Sequence, residues 1–137
     1  MDCSFELDLA SMILRVTITG TLTDAELNEC YETTRQYASR TNPRSAVLDL
    51  THVTKVELAT ETLERIAESP PILQDPALRI IVADSDYLYG LARMFQTLGE
   101  KTRQALHVVR TLDNAYALVG VKSPQFEPLS ADLDYSA

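Results

Sequence analysis

The run at residues 46–63, AVLDLTHVTKVELATETL, constrains the fold more than any other part of the chain. It opens as a buried strand, centred on 44–50, and passes through a short loop into an amphipathic helix at about 60–69. In that helix Leu63, Ile66 and Ala67 recur at helical spacing, and Pro70-Pro71 stops it. Residues 77–83, ALRIIVA, then supply a strand too apolar to be exposed on either face. A buried strand, a helix and a second buried strand imply a parallel pair joined by a right-handed crossover.

The flanking segments extend the pattern. Residues 4–9 and 12–19 read as two strands. In the second, Met12, Leu14, Val16 and Ile18 alternate with Ile13, Arg15 and Thr17, the period-2 signal of a sheet with unequal faces. The short Ala10-Ser11 link predicts a hairpin, and Gly20 is expected to end the strand. Thr23-Asp24-Ala25-Glu26 has the form of a capping box, in which Thr23 accepts the Glu26 amide hydrogen and the Glu26 side chain reaches back. Leu27, Cys30, Tyr31, Thr34, Tyr37 and Ala38 follow on one helical face, and Asn42-Pro43 closes the unit. Asp84-Ser85-Asp86 caps a third helix, to about residue 98, with Leu88, Leu91, Phe95 and Leu98 on its core side. A strand at 106–109 and a helix at 111–118 complete the order ββαβαβαβα. The expected fold is α/β, with a mainly parallel sheet of about five strands and an N-terminal hairpin; a doubly wound flavodoxin-like arrangement fits the same order. Residues 1–119 form the domain. Residues 120–137, GVKSPQFEPLSADLDYSA, carry two prolines and an acidic end and read as a partly disordered tail.

Composition narrows the function classes. A chain of 137 residues holds one core, and an apolar fraction of 45% is ordinary for a globular domain. With 20 acidic against 12 basic residues, the net charge of −8 disfavours nucleic acid, whose binders release counterions through a basic patch. No apolar run approaches the roughly 20 residues of a spanning helix. The opening MDCSFELD is acidic and lacks a signal-peptide core, and Cys3 and Cys30 have no C-x-x-C spacing. The expectation is a cytoplasmic protein with reduced thiols, no metal site and no cofactor.

Leu48-Asp49-Leu50-Thr51-His52-Val53, followed by Glu57-Leu58-Ala59-Thr60, resembles the switch segment of STAS domains, the bacterial anti-sigma-factor antagonists. In that family a strand ending L-D-L-S-x-V precedes a D-S-S-G helix start. Ile81-Val82-Ala83-Asp84 with Tyr89-Gly90-Leu91-Ala92-Arg93-Met94-Phe95 is similar to segments of uncharacterised bacterial SpoIIAA-like proteins. The resemblance covers roughly residues 12–119. It implies the SpoIIAA-like right-handed β-α superhelix and a non-catalytic, regulatory protein-interaction module. The serine that a partner kinase phosphorylates in the family falls on Ala59, which has no hydroxyl, so the usual switch is expected to be absent. Thr60 is the one displaced acceptor, and its plainer role is a helix N-cap.

Several candidate sites follow. The partner-binding surface implied by the resemblance is the 51–60 loop with the outer face of the next helix: Thr51, His52, Glu57, Leu58, Ala59, Thr60, Glu61, Glu64 and Glu68. Glu57, Glu61, Glu64 and Glu68 recur at steps of four, three and four, an acidic stripe suited to a basic partner or simply to water; Arg65 is expected to pair with Glu61. Tyr87, Gly90 and Met94 lie off the core stripe of the third helix, as either a homodimer contact or the rim of an apolar pocket. Asp49, His52 and Asp84 are the one cluster with catalytic potential, near the C-terminal ends of parallel strands. Against catalysis stand the roles of Asp84 as a helix cap and of Asp49 as part of the family frame, so no enzyme is expected. The alternative to an interaction module is a domain that binds a small apolar ligand or lipid between helices and sheet, which requires a cavity.

Overall fold

A computed structural model describes residues 2–73, 77–100 and 106–130. The order is β1 (Cys3–Asp8), β2 (Ile13–Thr23), α1 (Asp24–Thr41), β3 (Ser45–Glu57), α2 (Thr60–Glu68), β4 (Leu78–Val82), α3 (Asp86–Leu98), β5 (Leu106–Val109), α4 (Leu112–Leu118) and β6 (Glu127–Pro128). The fold is α/β. Its six described strands lie in the order β5-β4-β3-β2-β1-β6; β2 to β5 run parallel, and β1 and β6 are antiparallel to their neighbours. Because β2, β3, β4 and β5 follow one another both in the chain and across the sheet, successive crossovers step in one direction. Residues of α1 and α3 share one core with the facing side of the sheet.

Four local expectations change. The hairpin link is Leu9–Met12 in extent, four residues rather than two, since Asp8 pairs with Ile13; Met12 adopts φ 55° and the Ser11 hydroxyl donates to the Asp8 carboxylate. Gly20 does not end β2. At φ 79° it lets the strand continue past a register shift to Thr23, and the limit there is conformation, because an added Cβ would meet only Asp2 Oδ2 at 3.8 Å. The capping box is half made. Thr23 Oγ1 accepts from the Glu26 amide at 3.1 Å, while Glu26 Oε2 is buried without a hydrogen-bond partner among the described residues. The third helix starts from Ser85, whose hydroxyl accepts from the Leu88 amide at 3.1 Å; Asp84 precedes the cap, and Leu98 at the other end is exposed.

The largest difference lies in β3. The expected 51–60 loop is strand as far as Glu57. Thr51, Val53, Thr54 and Val56 are β-branched and favour a pleated surface. Two register shifts against β2, at Thr17/Thr19 and at Gly20/Thr21, let β3 advance an extra residue each time. Pairing with β4 ends at Asp49 and Val82, so beyond that point β3 has a ladder partner on one side only among the described residues.

The segment from Gly120, expected as a tail, is packed as far as it is described; residues 131–137 lie outside the described residues. Val119, Val121 and Phe126 cover a second core of Ile13, Val47, Ile80, Val82 and Ala115, on the sheet face opposite α1. Glu127 and Pro128 then form a sixth strand on β1, and the Leu129 amide donates to the Phe5 carbonyl at 2.8 Å. Arg15 holds this crossing in place. It pairs with Glu6 at 2.7 Å, donates to the Tyr116 hydroxyl at 2.9 Å and lies 3.9 Å from the centre of the Phe126 ring.

Candidate functional site

The helix-covered face of the sheet is not fully filled. A cavity of about 180 Å³ lies between strands β2 to β5 and helices α1, α2 and α3. Its floor includes Leu14, Val16, Leu48, Leu50 and Ile81; its roof includes Leu27 and Cys30 of α1, Leu63 and Ile66 of α2, and Leu88 and Phe95 of α3. Small residues create the space, since Ala46 from the floor and Ala38 and Ala92 from the roof stand where larger side chains would meet. In the central strand Ala46 and Leu48, which face the helices, are only half-buried, whereas their neighbour Val47 on the opposite face is 0% exposed. The helix layer therefore leaves solvent a path toward the middle of the sheet.

Polar groups in this lining are few. The Thr34 hydroxyl is committed to the Cys30 carbonyl at 2.7 Å, and the Tyr31 hydroxyl reaches the Pro70 carbonyl at 3.1 Å, tying α1 to the end of α2. Among the described lining residues Arg79 of β4 is the cation, and only 7% of its surface is exposed.

Asp49, His52 and Asp84 do not form a compact group. Asp49 is 2% exposed, and its Oδ1 accepts from the Thr51 amide at 2.9 Å and from the Thr51 hydroxyl at 2.7 Å. This Asx-type clasp shapes the backbone at the first irregularity of β3. His52 is exposed, with Nε2 3.9 Å from Asp49 Oδ2, and Asp84 is also exposed. Among the described residues no three His, Cys, Asp or Glu side chains are arranged to hold a metal ion.

The acidic stripe is divided between two elements. Glu57 ends β3, where it pairs with Lys55 at 3.0 Å; Glu61, Glu64 and Glu68 are exposed on α2 and have no ion pair among the described residues. Arg65 turns from Glu61 toward α1 and donates to Asn28 Oδ1 at 2.7 Å. Leu58 is half-buried and lines the cavity. Ala59, not Thr60, occupies the N-cap of α2, and its amide donates to Asp24 Oδ1 at 3.0 Å; Thr60 is the exposed first residue of the helix. Thr51 is half-buried.

On α3 the cavity takes Leu88, Leu91, Ala92 and Phe95, while Tyr87, Gly90 and Met94 are exposed on another side of the helix. Exposed Leu98 extends that outward stripe by one further turn. Among the described residues no helix is long and apolar enough to cross a membrane. The chain matches no protein-family model and no curated protein sequence.

The cavity was not evident from residue spacing. Its signal is a shortage of volume at Ala38, Ala46 and Ala92, and alanine in a helix reads simply as a good helix former.

Proposed function

We propose that this chain binds a small apolar molecule in the cavity between the sheet and α1, α2 and α3. The supporting observation is the cavity of about 180 Å³, walled almost entirely by aliphatic and aromatic side chains. An apolar cavity of about 150 Å³ in another protein stays dry and admits benzene. A ligand that fills the space removes its apolar lining from water, and half-buried Ala46 and Leu48 mark a path to it.

The aliphatic and aromatic lining favours a short acyl chain or an aromatic ring. Octanoate is the test compound, read by thermal unfolding. Octanoate is expected to raise Tm in the natural chain and not in Ala92→Leu, which fills the roof. An equal rise in both, or in neither, contradicts the proposal.

The second reading is a STAS-like, SpoIIAA-like interaction module without the phosphorylatable serine. It is supported by the one-sided end of β3 and by Glu61, Glu64 and Glu68 of α2, which are exposed and have no ion pair among the described residues. Reversing Glu61 and Glu64 to lysine is then expected to weaken such a complex by about tenfold at low salt. Co-purification from the host at two salt concentrations measures it, and an unchanged yield of partner removes this reading.

A further inference from the structure

Cys3 and Cys30 are far apart in the chain and touch in the fold. Their sulfur atoms lie 2.7 Å apart, one on β1 and the other on α1, and both are free thiols. A disulfide needs about 2.05 Å, so closing the gap requires a shift of only about 0.7 Å. The two elements are also held together nearby, where the Phe5 and Tyr37 rings pack with centroids 5.0 Å apart.

We propose that Cys3 and Cys30 form a reversible redox pair that, when oxidised, bolts α1 to β1. The thiols differ in access. Cys30 is buried, whereas Cys3 is half-buried and borders a surface groove with Thr33, Tyr37 and Pro128. Cys3 is the entry point and Cys30 the resolving thiol. With a hydroperoxide as oxidant, the Cys3 thiolate attacks the terminal peroxide oxygen and the O–O bond breaks. The leaving oxyanion takes up the proton that Cys3 released. The Cys30 sulfur then attacks the Cys3 sulfenic acid; an S–S bond forms, the S–O bond breaks, and hydroxide leaves as water with the Cys30 proton. For hydrogen peroxide the balance is two thiols and one peroxide to one disulfide and two waters, with the sulfur pair oxidised by two electrons.

The contact with Cys30, burial, and nearby Glu26 and Glu29 hold the Cys3 thiol protonated well above the ordinary thiol range. The pair therefore responds slowly, to sustained oxidant rather than to a brief pulse. Cys30 also lines the cavity, so the bond would fix one wall of it.

The test is intact-mass analysis of the whole chain before and after hydrogen peroxide, with maleimide labelling and peptide mapping, alongside thermal unfolding. Labelled after unfolding in denaturant, both thiols take maleimide before oxidation. Afterwards the expected product takes none, has lost a pair of hydrogens and joins the Cys3 and Cys30 peptides. Its Tm is higher by on the order of 10 °C, reversed by dithiothreitol and absent in Cys30→Ser. Over-oxidation of Cys3 without the link, a bond between two chains, or two thiols still open to label would each overturn the proposal.

Discussion

On one side of the sheet three helices cover β2 to β5 and leave a cavity of about 180 Å³. On the other side one seven-residue helix and an irregular length of chain leave Ile13, Val47, Ile80 and Val82 almost wholly inaccessible. The amount of covering structure does not explain the difference. The thin side is sealed because compact β-branched residues present a floor that Ala115, Val119, Val121 and Phe126 match, and because Arg15 clasps the crossing chain at Glu6, Tyr116 and Phe126. On the thick side, alanines stand where floor and roof should interlock. A sealed face with a polar clasp has the character of structure, and an under-filled face that solvent can approach has the character of a site.

The contrast can be broken most strongly by truncation. Ile13→Ala on the sealed face is expected to cost about 3–4 kcal/mol, because its surroundings have no room to adjust. Leu48→Ala on the cavity face is expected to cost only about 1 kcal/mol, since that side chain is already half-buried. Urea unfolding of the two variants measures both, and equal costs would erase the distinction between the faces.

A smaller effect tests the clasp. Arg15→Met keeps the aliphatic stem and removes the charged hydrogen bonds to Glu6 and Tyr116, for an expected loss of about 2 kcal/mol. Hydrogen exchange should quicken first at the amides of Val121 and Leu129, which bond Tyr116 and Phe5. Uniform quickening across the sheet would mean that Arg15 is not a local fastener.

The smallest effect concerns pH. The Cys3 thiol is held above its ordinary value of 9.0 in the folded chain, first by its hydrogen bond to Cys30 and then by burial. Above pH 9 the unfolded chain loses this proton while the folded chain keeps it. The contribution is thus fully present below pH 9 and lost as pH rises further. Urea midpoints measured under reducing conditions should fall more steeply above pH 9 in the natural chain than in Cys3→Ser, and parallel curves would remove the thiol from the account.

Much of the frame was legible in residue order. The alternation in 12–19, the apolar run at 77–83 and the cap at Thr23 are local signals, and each marks an element of the fold. The extension of β3 is carried by the β-branched THVTKV run, where the resemblance to a switch segment implies a loop. What stayed hidden depends on partners distant in the chain. Phe126 and Pro128 read as tail residues until Arg15 and β1 receive them. Cys3 and Cys30 have no motif spacing, and their contact exists only because α1 folds back over β1. The cavity is a deficit shared among Ala38, Ala46 and Ala92, on three separate elements.

The most direct test of the under-filled face as a ligand site is native mass spectrometry of the chain purified gently from its own host. The account predicts a retained mass beyond that of the protein, removed by organic solvent and missing from Ala92→Leu. A chain that carries no extra mass and gains none when offered octanoate would contradict it.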